Sequence, residues 1–287
     1  MERKRIRLKY PDPAVTLTAF LPEGEGKSAI LVLPGGGYAV CAPAEGKPIA
    51  ERFAEAGWAA FVLNYSTAST GAEHAVFPEP LREVAQTVKH LRENAADYGL
   101  APGRLARCGA SAGGHLAMSY ANGWDTPEVY EGFTEAGGAE ILRPDACVLL
   151  YAASAPGADG SRMLPILFGH EAPFSEEEIE RCAVKNYVGP QTPPTVLFHS
   201  ATDPMVPVRC SVELFETLQS EEIPSEIHVF GSGGHGYGPG AGTPAGAWPD
   251  LALAFLDALF SRPEIYDWEY QRQQMEEMFK AFQGNAE

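Results

Sequence analysis

RCGASAGGHLAMSY, residues 107–120, sets Ser111 between Gly109 and Gly113 and follows it with Gly114 and His115. The run ahead of it, RLARCGA, is apolar enough to end a strand, and AGGHLAMSYAN after it has helical spacing. A serine held between glycines on such a strand-to-helix turn has two readings. It is a glycine-rich helix start, or it is a sharp turn that lifts the Ser111 hydroxyl to the top of a sheet as a nucleophile. Glycine and serine are common enough in this chain for the pattern to arise by chance, so the remaining residues must decide.

Outward from this turn, strand-like and helical runs alternate. AILVLP (29–34) is a continuous apolar run of the kind buried on both faces of a sheet. A helix is expected from about Pro43 to Ala56, a strand over AAFVLNY (59–65), and a long helix over 79–96 with Leu81, Val84, Val88 and Leu91 on one stripe. Further strands follow in ACVLLYA (146–152), TVLFHSA (195–201) and EIHVFG (226–231). The helix after TVLFHSA, Pro207 to Leu218, should face Val208, Val212, Phe215 and Leu218 inward, and WPDLALAFLDALF (248–260) supplies another helix. Ahead of all these, IRLKY (6–10) and VTLTAFL (15–21) flank the Pro11–Pro13 turn like hairpin strands. This rhythm predicts an α/β fold: a mostly parallel sheet with helices on both faces. One domain is expected over residues 1–262, with a loop-rich insertion at about 153–192 that carries an acidic helix, SEEEIERCAVKNYV. Residues 263–287 form a helical extension with Trp268, Met275, Met278, Phe279 and Phe282 roughly on one side. That face either docks on its own domain or makes a contact between copies of the chain, a homo-oligomer; the sequence leaves both open.

Composition narrows the function classes. The 287 residues carry a formal net charge of −17, which repels phosphate backbones and anionic lipid surfaces, so neither nucleic acid nor a membrane is an expected partner. A neutral small molecule such as an ester is not penalised. The five cysteines contain no C-x-x-C pair, and neither H-E-x-x-H nor paired His/Cys spacing occurs, so no metal, cofactor or disulfide framework is expected; Cys108 and Cys147 read as small core residues. GEGKS (24–28) resembles the end of a phosphate-binding loop, but Leu21 stands where the first glycine is needed. No run of eighteen apolar residues exists, and MERKRIRLKYPDP lacks the apolar stretch of a signal peptide, which makes a cytoplasmic location the expectation.

Three further features favour the nucleophile. LPGGGY (33–38) closes the buried strand, and its Gly36 and Gly37 N–H groups, with that of Ala112 after the serine, form a candidate oxyanion hole. Of seven histidines, His115 follows Ser111 by one helical turn and suits packing, while His199 and His228 lie inside strands. His235 alone sits in a glycine loop, GSGGHGYG, just after the last strand, where catalytic groups collect. Asp203 in FHSATDPMVP lies just beyond a strand and suits the acid that orients this histidine, although an Asp before Pro also starts helices.

At this point the residues match a known pattern. LVLPGGGY, AERFAEAGWAAFVLNYS, CGASAGGHLA, PPTVLFHSATDPMVPV, IHVFGSGGHGYG and WPDLALAFL cover most of residues 29–260. Together they resemble the carbohydrate-esterase-like α/β-hydrolases, the acetyl xylan esterases and bifunctional feruloyl and acetyl xylan esterases. The order Ser, Asp, His is the α/β-hydrolase order. The resemblance implies Ser111 as nucleophile, Asp203 as acid, His235 as base, and hydrolysis of short-chain, acetyl-type esters through an acyl-enzyme. It also puts Glu45 at the family's PGGGY…E spacing, where a carboxylate could brace the oxyanion loop; a plain helix-start glutamate is the other reading. Secreted xylan enzymes carry signal peptides, so short acylated oligosaccharides or small acyl esters are the expected substrates here. The insertion should shape the pocket, with Tyr38, Phe168 and Phe174 as candidate walls. An arylformamidase, amidase or peptidase on the same fold is the alternative. A silent binding protein is a third, and it would be expected to have a broken triad.

Overall fold

Residues with uninterrupted apolar runs need cover on both sides, and the chain supplies it by sending alternate residues of each strand into two separate cores. The computed structural model describes residues 1–70, 76–133, 136–155 and 160–284, with backbone alone at 136–137, 160–162 and 281–284. His74 and the Phe282 side chain lie outside the described residues.

Among the described residues eight strands form one sheet: β1 (Glu2–Ile6), β2 (Thr16–Leu21), β3 (Lys27–Leu33), β4 (Ala59–Asn64), β5 (Leu100–Ala110), β6 (Ala146–Leu150), β7 (Thr195–Ser200) and β8 (Ser225–Phe230). Their order is β1-β2-β4-β3-β5-β6-β7-β8; β3 to β8 run parallel, and β2 alone is reversed, pairing antiparallel with both β1 and β4. The described helices are α1 (Lys47–Glu55), α2 (Glu79–Glu93), α3 (Ala112–Gly123), α4 (Pro127–Tyr130), α5 (Gly160–Phe168), α6 (Glu176–Arg181), α7 (Arg209–Ser220), α8 (Trp248–Ser261) and α9 (Trp268–Gly284). In β3, Leu31 and Leu33 join the core under α2, α3 and α7, whereas Ile30 and Val32 join the core under α1 and α8. The sheet is thereby a rigid floor. The loops after β3, β5, β6, β7 and β8 all leave from its carboxyl edge, where ligands of open α/β sheets bind. Among the described residues no helix is long and apolar enough to cross a membrane.

Several expectations shift. β1 begins earlier than the alternation suggested: Glu2 pairs with Leu21 and Ile6 with Leu17, while Tyr10 is drawn to α2 by a 2.8 Å bond between its hydroxyl and Thr87 Oγ1. The charged residues Glu2, Arg3, Lys4 and Arg5 then cover the open edge of the sheet, which discourages pairing with another chain. The helix expected from Pro43 is a short 3-10 turn, Pro43–Glu45, that Gly46 separates from α1. In α7 the buried stripe is Cys210, Ser211, Leu214 and Leu218, not the valine–phenylalanine stripe, because Ser211 turns inward to bond His199. The insertion is less loop-like than expected. It holds α5, whose internal Pro165 argues against a helix, yet Met163, Leu164 and Leu167 are buried and anchor it. The acidic helix is short and starts with a capping box in which Ser175 and Glu178 bond each other's backbone N–H. Among the described residues the apolar face of the C-terminal helix is largely uncovered: Trp268, Met275 and Phe279 of α9 are 42%, 56% and 56% exposed. Cys108 and Cys147 are buried, and all five cysteines are free thiols.

Candidate active site

Parallel β5 ends at Ala110, and the chain must reverse into α3 within one residue. Ser111 makes that turn with φ +52° and ψ −118°, a left-handed region that a side chain occupies only when its surroundings hold it there. The glycines of the motif are required by close approach. A Cβ on Gly109 would lie 2.2 Å from the Gly113 carbonyl oxygen, and one on Gly113 2.0 Å from that of Leu33. The Ser111 N–H donates to the Leu150 carbonyl at 2.9 Å, tying the turn to β6.

Two loops bring partners to this hydroxyl. In the loop after β8, His235 places Nε2 2.9 Å from Ser111 Oγ and Nδ1 2.7 Å from Asp203 Oδ2. Nδ1 therefore carries the proton toward the carboxylate, and Nε2 presents a lone pair to the serine hydroxyl. Asp203, in the loop after β7, is fixed on its other oxygen by the N–H groups of Met205 (2.8 Å) and Val206 (2.9 Å). His199 Nε2 lies 3.3 Å from Asp203 Oδ2 and 2.9 Å from the Val206 carbonyl, while its Nδ1 is 2.8 Å from Ser211 Oγ. Two acceptors facing Nε2 require the proton there, so Ser211 donates to Nδ1. Burial works against ionisation of Asp203. The hydrogen bonds from His199, His235, Val206 and Met205 outweigh it and hold the carboxyl well below its ordinary range.

The glycine loop after β3 lies against the serine. A Cβ on Gly35 would sit 2.8 Å from Ser111 Cβ, and the Gly35 N–H donates to Glu45 Oε2 at 2.9 Å. Gly36 and Gly37 take φ +118° and +63°, and among the described residues neither N–H has an acceptor. Ala112 opens α3, where helix geometry leaves N–H groups unpaired and the dipole is positive. Glu45 is buried, and its other oxygen accepts from the Tyr151 hydroxyl at 2.7 Å.

One expected wall needs correction. Tyr38 is wholly buried: its positive φ turns the ring into the core, where its hydroxyl lies 2.8 Å from His115 Nδ1, so it lines no pocket. Phe168 packs half-buried on the larger core, and the Phe174 ring sits 5.1 Å from that of His170. Burial lowers His115 to about 4, which leaves it neutral and in a packing role. Two contributors were missed. In the sequence His199 reads only as a strand residue, and Tyr151 only as the end of an apolar run. Tyr151 was the more findable, since it stands at the carboxyl end of a parallel strand.

Comparison with known proteins agrees with this architecture. The BD-FAE family model matches residues 17–218. The chain is 33% identical over 226 residues to endo-1,4-beta-xylanase B of Butyrivibrio fibrisolvens, covering 77% of this chain and 34% of that one. It is 26% identical over 243 residues to the acetylxylan esterase of Xylanibacter ruminicola, covering 83% of this chain and 47% of that one. The chain thus spans about a third to a half of the length of the curated relatives it matches. Among solved structures, MGS-M1, an alpha/beta hydrolase enzyme from a Medee basin deep-sea metagenome library, superposes with a TM-score of 0.68 at 30% identity, covering 90% of this chain and 98% of that one.

Proposed function

The chain belongs to the BD-FAE family and has the α/β-hydrolase fold, and from that premise we propose that it is a serine-dependent ester hydrolase. The observation that carries this reading is the unbroken hydrogen-bond chain Ser111–His235–Asp203, at 2.9 and 2.7 Å, beneath the glycine loop. Ser111 Oγ attacks the ester carbonyl as His235 Nε2 takes its proton. Asp203 keeps the imidazole in the productive tautomer and stabilises its cationic form. The oxyanion forms against the N–H groups of Gly36, Gly37 and Ala112; one such donor is worth about 3 kcal/mol in comparable sites. Collapse of the tetrahedral intermediate releases the alcohol with the proton from His235. Water, deprotonated by the same histidine, then attacks the acyl-enzyme and frees the acid and Ser111.

The substrate class is a short-chain, acetyl-type ester of a small or oligosaccharide alcohol. Similarity to a protein named acetylxylan esterase and to one named xylanase supports this reading. Wild type and Ser111→Ala are compared on p-nitrophenyl acetate, butyrate and octanoate, with acetylated xylo-oligosaccharides alongside. Acetate release by the wild type, lost in the variant, is the expected result. A wild type inert on every ester but active on N-formyl amides would replace the reading with an amidase.

A further inference from the structure

Ser111 is not the only strained residue of this corner. Tyr151, just beyond β6, also has left-handed backbone, with φ +37°. Such a conformation in an aromatic residue persists only where several contacts dictate it, and it marks a place to look for a role. The contacts are these. The Tyr151 N–H donates to the Phe198 carbonyl at 2.8 Å, and its buried ring meets the His235 ring edge-on at 4.8 Å and that of Tyr237 at 4.5 Å. Its hydroxyl donates to Glu45 Oε1 at 2.7 Å and accepts from the Gly238 N–H at 3.2 Å. Glu45 Oε2 accepts from the Gly35 N–H at 2.9 Å, and Trp248 Nε1 holds the Gly238 carbonyl at 2.8 Å.

A single buried path therefore runs Gly35–Glu45–Tyr151–Gly238. One end is the residue before Gly36 and Gly37, and the other is three residues after His235. We propose that Glu45 and Tyr151 are positioning residues that hold the oxyanion loop and the histidine loop in one register about Ser111. The inference rests on the ester-hydrolase reading above.

Chemistry favours positioning over filling. A buried carboxylate is costly, and among the described residues no cation pairs with Glu45. What this position needs is an acceptor on both sides, one for a backbone N–H and one for a phenol. Glutamine supplies only one, because its amide nitrogen would face a donor. Burial raises the Tyr151 hydroxyl well above its ordinary range, so it stays protonated and remains the donor to Glu45. Phenylalanine would fill the same space and break the path.

The test compares Tyr151→Phe, Glu45→Gln and the double variant with wild type and Ser111→Ala. It measures kcat and KM on p-nitrophenyl acetate, the rate of fluorophosphonate labelling of Ser111, and Tm. The expected result is a fall of about 10- to 100-fold in kcat in each single variant, with KM within about threefold of wild type, the size of effect that misplacing a catalytic group produces. Labelling should slow in parallel, and the double variant should be no worse than the poorer single, since each cuts the same path. Wild-type kcat in Tyr151→Phe, or losses that multiply in the double variant, would overturn the proposal. So would a Tyr151→Phe protein that melts far below wild type beside a Glu45→Gln protein of unchanged kcat, for the pair would then be merely structural. A wild type that neither hydrolyses nor labels removes the ester-hydrolase reading and this one with it. An active wild type beside an unaffected Tyr151→Phe removes this one alone.

Discussion

Two carboxyl groups on opposite sides of β3 are both opposed by burial, yet their acidities move in opposite directions. Glu83 on α2 is hydrogen-bonded by the N–H and the hydroxyl of a single residue, Ser66, and burial still raises it to about 7. Asp203 after β7 is opposed by burial too, yet two imidazoles and two backbone N–H groups hold it well below the carboxylate range. Glu83 is the more deeply buried of the two and Asp203 has the more donors, and both differences push the pair apart. The donors at Asp203 come from β7, from the loop itself and from the loop after β8, so only the assembled sheet edge supplies them. Those at Glu83 come from one residue after β4. An ionised carboxylate at pH 7 is what an imidazole base requires, and Asp203 is the one of the two so equipped.

The comparison can be broken most forcefully at the Asp203 end. Asp203→Asn keeps the shape but turns a donor toward His235 Nδ1 and favours the wrong tautomer. Esterase kcat should fall by about 10³- to 10⁴-fold, as should that of Ser111→Ala, with Tm changing little. Steady-state kinetics check this, and a fall under tenfold in Asp203→Asn would sink the assigned role.

The Glu83 end is tested by pH. Its pKa is raised in the folded state, so the stability it contributes is complete below the unfolded value near 4.3 and is lost as pH rises to about 7. Glu83→Gln has no such loss. From pH 4.5 to 7.5 it should gain about 3 kcal/mol on wild type, read as a Tm difference that moves in its favour as pH rises. A difference that stays flat across this range would mean that Glu83 ionises normally.

A smaller effect is expected where the two regions are made more alike. His199→Gln removes one imidazole from Asp203 and should lower kcat/KM by about three- to tenfold while leaving the His235 contact in place. The same assay reads it, and an unchanged kcat/KM would show that the remaining three donors suffice. The smallest effect belongs to the surface. Phe279→Ser on exposed α9 should shift Tm by no more than about 1–2 °C, because more than half of the side chain is already in solvent. A large drop would mean that α9 docks after all.

What could be read before folding was what short stretches dictate. The alternation of apolar runs with helical stripes yields the layers, because each period belongs to a few consecutive residues. Ser111, Asp203 and His235 could be nominated because each stands just past an apolar run with turn residues around it, and carboxyl edges of parallel strands gather functional groups. The strand that pairs early as β1, the inward Ser211 and the helix around Pro165 were not legible, because a partner far along the chain decides each one.

The sequence by itself determined the layered α/β plan and the candidate triad, since both follow from local period and composition. Only the tertiary structure decided that Tyr38 turns into the core, that the described apolar residues of α9 are exposed, and that Tyr151 and Glu45 join two loops more than a hundred residues apart in sequence. These depend on positive backbone angles and on distances between strand ends, and no local pattern encodes either.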